Sequence, residues 1–145
     1  MRQVYDTAGI RVDHISTESL DLPDLLDLDI GACDGATTDE QNDLFSHRGN
    51  AGSNEIVVYF VRSTVPPANG CACHPPGRPG AVVVADAPKW TLAHEVGHVL
   101  GLDHVVNNNR LMTEFGTAAI LNPPPDLAQV EIDKMLSSPL TSPVV

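Results

Sequence analysis

Apolar positions recur along this chain in three rhythms, and each rhythm predicts an element. Glu55 to Val61 and Ala81 to Ala85 are nearly unbroken apolar runs, rich in β-branched and aromatic residues. Such runs predict strands buried on both faces, as in a mostly parallel sheet. Ile10 to Ile15 alternates instead, with Ile10 and Val12 apolar before His14 breaks the run, which predicts a third strand. Thr91 to Leu100 carries Leu92, Val96 and Val99 at i, i+4 and i+7 and contains no proline. That spacing predicts a helix with an apolar stripe against a core.

Start and stop signals place the remaining elements. Residues 2–8 read as the tail of a helix, with Val4 and Ala8 on one side and Gly9 as its stop. Thr38 can cap a short helix through Phe45, with Asp39 and Glu40 in its first turn. Asp86 and Pro88 stand where the 91–100 helix should begin. Asp126 can cap a last helix in which Leu127, Val130 and Leu136 pack. Pro66 to Gly80 is dense in Pro and Gly and reads as loop, with Gly70–His74 as a short edge strand. Strands alternate with helices and no repeat is present, so the expectation is an α/β (α+β) fold. A chain of 145 residues holds one domain.

One stretch of this pattern carries chemistry. His94-Glu95-Val96-Gly97-His98-Val99-Leu100-Gly101-Leu102-Asp103-His104 fits H-E-x-x-H-x-x-G-x-x-H without a gap. A shuffled chain of this composition would contain it with a probability on the order of 10⁻⁵, so the pattern is specific. On a helix, His94 and His98 lie one turn apart on a single face and can each give a nitrogen to one zinc ion. Glu95, one residue round, can reach a water on the metal and suits a general base. Glycine tolerates positive φ, so Gly101 can end the helix and let His104 return as a third ligand. Three protein ligands leave one position open, the arrangement of a catalytic zinc. His14 and His47 stand alone and read as solvated side chains.

Met112 follows eight residues after His104, beyond three asparagines that read as a turn. The motif and this methionine together resemble the metzincin clan of zinc endopeptidases, and among them small bacterial matrixin-like members. The resemblance is sharp over residues 81–116. It implies a twisted mixed sheet packed on the active-site helix, with an upper subdomain to about residue 101 and a small lower subdomain from about 102 to 145 that ends in a helix. It implies one catalytic Zn²⁺ held by His94, His98 and His104, with Glu95 as general base toward a zinc-bound water. Met112 would form the hydrophobic floor of the site, the Met-turn, without binding metal. Substrates would be proteins or peptides, bound extended against an edge strand that Gly70–His74 would supply. Where some subfamilies place a tyrosine after the Met-turn methionine, this chain has Glu114. Metzincin domains usually open with a strand and a long helix. This chain starts near the end of that helix, so either the fold is minimal or an upstream part is missing. A missing strand would leave a sheet edge that invites dimerisation. The clan is mostly secreted, which favours an extracytoplasmic location, although Met1 to Tyr5 lacks the apolar core of a signal peptide. The alternatives are a zinc-holding module that does not cleave, or a fragment of a larger protein, and a zinc hydrolase acting on a non-peptide bond.

Composition narrows the partners. The formal net charge of −11 and pI of about 4.6 repel nucleic acid and anionic membrane. No segment is long enough to span a bilayer. The acidic stretch 16–36 does not follow the calcium-loop pattern, so it reads as a solvated loop, with calcium binding as the alternative. Asp103 reads either as a solvated turn residue or as a group orienting a histidine ligand. Cys33, Cys71 and Cys73 make an odd count, so at least one thiol stays unpaired within the chain. Cys71 and Cys73 are poorly placed to bridge each other, which leaves Cys33 with either of them as the disulfide. Cys71-Ala72-Cys73-His74 could also be read as a second metal site, though zinc pairs are usually spaced more widely.

Overall fold

In the computed structural model, which describes residues 1–121 and 123–144, eleven short elements follow one another. They are α1 (Arg2–Thr7), a 3₁₀ turn (Pro23–Leu25), β1 (Asp27–Asp29), α2 (Asp39–Ser46), β2 (Val57–Val61), β3 (Ser63–Val65), β4 (Gly70–Cys71), β5 (Gly80–Val84), α3 (Thr91–Val99), a second 3₁₀ turn (Thr117–Ala119) and α4 (Gln129–Leu136). The class is mixed α and β, as the alternation predicts. Among the described residues there are four α-helices and two sheets, one of them mixed.

The two apolar runs pair with each other. β2 and β5 are parallel, with Val57 opposite Gly80 and Val61 opposite Val84. β4 adds antiparallel on the other side, Cys71 opposite Val82, so β5 is central and β4 lies at an edge. β1 and β3 form a separate parallel pair. The central position explains why all five residues of β5 are buried. β2 is the opposite edge, and Phe60 there is 62% exposed. Burial on both faces therefore holds for β5 and fails for β2, because a strand with one neighbour leaves a flank open.

A hydrophobic cluster occupies each side of this sheet. Val82 and Val84 join Leu28, Leu44, Phe45 and Tyr59 in one. Val58 packs against the other, which contains Val4, Tyr5, Trp90, Ala93, Val96, Leu111, Met112 and Met135. α3 lies along β5 and touches β4. α1 is fastened beneath it, since the buried Tyr5 hydroxyl donates to the Ala93 carbonyl at 2.7 Å. α2 begins where its sequence signal stands: Thr38 Oγ1 accepts from the Gln41 N–H, and Gln41 Oε1 accepts from the Thr38 N–H.

Five local expectations change. Ile10 to Ile15 forms no strand; Ile10 and Val12 do pack against the core, but the Ile10 N–H bonds back to the Tyr5 carbonyl and, among the described residues, no strand pairs with this stretch. α3 starts at Thr91, after Trp90, and not at Asp86 or Pro88. Gly70–His74 pairs only at Gly70 and Cys71. α4 starts after Ala128, whose N–H is accepted by Glu131 Oε1, because Asp126 is held in a bridge to Arg110. In that helix Val130 and Leu136 face solvent, at 73% and 54% exposure. Glu131 and Met135, four apart, turn inward in their place, and Leu127 packs on the core as expected.

Candidate metal centre

α3 presents His94 and His98 one turn apart, as the spacing requires. After it the chain reverses sharply. Gly101 has φ +101°, its N–H bonds the His98 carbonyl, and the Leu102 N–H reaches back to the Gly97 carbonyl at 3.0 Å. This wrap is the left-handed helix ending that glycine makes accessible. It returns His104 to the face of α3. The three Nε2 atoms then converge: His94 to His98 is 3.1 Å, His94 to His104 is 3.1 Å, and His98 to His104 is 3.0 Å.

Backbone carbonyls fix the rings. His94 Nδ1 lies 2.8 Å from the Leu111 oxygen and His98 Nδ1 lies 2.7 Å from the Leu102 oxygen. A carbonyl can only accept, so each Nδ1 carries the proton and each Nε2 keeps a lone pair. Burial pulls the His94 imidazole down to about 4, and the adjacent His98 and His104 rings add to this against the opposing hydrogen bond to Leu111. Burial lowers His98 as well. At least two of the three rings are therefore neutral near pH 7 and aim basic nitrogens at one point, a donor set suited to a divalent metal such as zinc. The residues fit the ion that the spacing implies.

Glu95 lies on the next face, only 8% exposed. Burial pushes its carboxyl up to about 7. It abuts the edge strand: a Cβ on Gly70 would come within 2.7 Å of Glu95 Cγ and 2.8 Å of Oε1, so only glycine fits there. Two cavities adjoin His94 and Glu95. The smaller, about 180 Å³, is walled by Thr91, Thr113, Glu114 and Thr117; the larger, about 770 Å³, runs past Gly70, Cys73 and His104.

Met112 is fully buried beneath α3, and a Cβ on Gly97 would lie 2.7 Å from its Sδ. Its carbonyl accepts from the Val105 N–H at 2.8 Å, which ties the segment bearing His104 to the turn that bears Met112. Arg110, two residues before Met112, is half-buried and forms an ion pair with the buried Glu131 of α4. Sequence reasoning missed this pair. Arg110 and Glu131 lie 21 positions apart, and no local pattern links them. Also missed were the Leu102 and Leu111 carbonyls, which are invisible in principle because every residue has one. Asp103 takes the solvated option: its carboxylate accepts from Lys134 Nζ at 3.0 Å and is 89% exposed.

Among the described residues, two groups bring three metal-capable side chains together: the histidines, and Cys33, Cys71 and Cys73, whose sulfurs lie within 4.8 Å of one another. Neither lies in the acidic stretch 16–36 apart from Cys33. Cys33 and Cys71 are joined as a disulfide, which settles the pairing and leaves Cys73 reduced. No protein-family profile, no curated protein and no solved structure matches this chain.

Proposed function

We propose that the protein is a zinc-dependent endopeptidase of the metzincin type. The observation that carries this reading is the convergence of three Nε2 atoms, two of them with their Nδ1 protons fixed on carbonyls, beside a buried glutamate that bears no ion pair. His94, His98 and His104 would hold the ion. A zinc bound there supplies a Lewis acid for the scissile carbonyl and acidifies a water.

The protein's own groups do the rest. Glu95, with a carboxyl near 7, is matched to take a proton from the attacking water through its Oε and to return it to the leaving amine. Gly70 keeps the wall beside that carboxylate free of side chain. β4 is an edge strand next to Glu95, so an extended peptide can add to it with backbone hydrogen bonds. The cavity lined by Thr91, Thr113 and Thr117 is small and suits a short side chain next to the scissile bond.

The test is digestion of a proteome-derived peptide library by wild type and Glu95→Gln, with zinc measured in both. The expected result is about one zinc in each and cleavage by wild type alone, with a loss of at least about 100-fold in the variant. Cleavage retained by Glu95→Gln would rule out the base. Zinc in both with no cleavage by wild type would leave a metal-holding module.

A further inference from the structure

Three sulfurs meet beside the larger cavity, whose wall includes Cys33 and Cys73. Cys73 Sγ lies 3.6 Å from Cys33 Sγ, the atom that is already bonded to Cys71. Both sulfurs that could trade places have an N–H donor. The Gly35 backbone N–H donates to Cys73 Sγ at 3.1 Å. The Gln41 Nε2 donates to Cys71 Sγ at 3.7 Å, from a side chain that is itself fully buried.

We propose that Cys33, Cys71 and Cys73 form an intramolecular thiol–disulfide exchange site, in which Cys33 is bonded alternately to Cys71 and to Cys73. Cys73 gives its proton to solvent and its thiolate attacks Cys33 Sγ. The new S–S bond forms as the Cys33–Cys71 bond breaks. The electron pair leaves on Cys71 Sγ, beside the Gln41 amide, and a proton from solvent completes the thiol. One disulfide and one thiol stand on each side, so no oxidant or reductant is consumed.

The exchange moves the free thiol between two environments. Cys73 is half-buried on the cavity wall, whereas Cys71 is 1% exposed. It also moves the tether. Cys71 belongs to β4 and is paired with Val82, and its neighbour Gly70 is packed against Glu95. With Cys33 bonded to Cys73 the cross-link leaves the strand and holds the loop after it. The strand wall beside Glu95 then keeps its short pairing to β5 and its packing on α3 but loses the covalent tether. This coupling to the cleft rests on the peptidase reading; the exchange itself does not.

The experiment is disulfide mapping of the intact protein. Wild type is held near pH 8, where a thiol of pKa about 8.5 is partly ionised, then quenched in acid, unfolded, labelled with a maleimide and digested for mass spectrometry. The expected result is two species: Cys33–Cys71 with Cys73 labelled, and Cys33–Cys73 with Cys71 labelled. Cys71→Ser should form the Cys33–Cys73 bond. Label on Cys73 alone after prolonged incubation, or two free thiols in oxidised Cys71→Ser, would overturn the exchange. For the cleft, Cys73→Ser and Cys71→Ser each lock one connectivity. Peptide cleavage by Cys71→Ser should fall roughly tenfold below that of Cys73→Ser, because a displacement of about 1 Å near the reacting groups can cost up to about 100-fold. Equal kcat/KM would overturn the coupling and leave the exchange standing. If wild type cleaves nothing, the peptidase reading fails, and the mapping still decides the exchange.

Discussion

Replacing Glu95 by Gln should stabilise the metal-free protein while it abolishes turnover. The buried carboxyl sits at about 7 against an ordinary 4.5, a displacement of about 2.5 pH units caused by desolvation. At about 1.4 kcal/mol per unit, that amounts to about 3 kcal/mol. The fold favours the neutral acid, so this contribution is fully present below pH 4.5 and is lost as pH rises through 7. Above about pH 8 the wild type bears a buried, unpaired carboxylate, and the isosteric amide does not. For a chain of this length about 3 kcal/mol corresponds to a melting temperature roughly 10 °C higher in the variant. The assay is scanning calorimetry in excess chelator at pH 8 and pH 4.5. The difference should be large at pH 8 and close at pH 4.5, where both side chains are neutral. Adding zinc should narrow it, because a nearby cation favours the carboxylate. A variant that melts at or below wild type at pH 8, or a gap of equal size at both pH values, would refute the argument that burial strains Glu95.

Two further substitutions probe the floor of the site. Glu131→Ala leaves the half-buried Arg110 without its partner and should cost about 1–3 kcal/mol in denaturant unfolding; zinc affinity should fall roughly 10- to 100-fold, because Arg110 precedes the Leu111 carbonyl that orients His94. An unchanged midpoint would show that the pair contributes little. Met112→Ala should lose about 2–5 kcal/mol from a fully buried position yet retain one zinc per chain by elemental analysis; loss of zinc stoichiometry in the folded variant would make Met112 more than a floor.

The parts of the structure that sequence made legible are those where local chemistry and position coincide. The helical spacing of His94 and His98, the reversal at Gly101 and the Thr38 cap each follow from a few neighbouring residues, and the structure has all three. β5 was legible because a central strand needs an unbroken apolar run. Ile10 to Ile15 shows the limit. Alternation records which side chains turn inward, and Ile10 and Val12 do so, but it cannot supply a pairing strand. Asp126 fails for a related reason: its N–H donates to the Asn109 carbonyl and its carbonyl accepts from the Leu111 N–H, more than a dozen residues away, so the helix starts two residues later. The choice between Cys71 and Cys73 was open because they are two residues apart, and only the turn of β4 decides which faces Cys33. Glu131 caps the Ala128 N–H and also turns inward to Arg110, a role hidden in the sequence because that partner lies 21 positions back in the chain.

The two carbonyls that hold His94 and His98 come from Leu102 and Leu111, both in the irregular segment after α3. The rings therefore cannot keep their shared orientation if that segment opens, and the segment loses two acceptor contacts if the rings turn away. Metal affinity and the local opening equilibrium of this stretch are thereby linked: occupancy of the site and protection of the amides of Val105, Leu111 and Thr113 from hydrogen exchange rise and fall together. A segment with little regular structure of its own would thus borrow its order from an ion held by the three imidazoles.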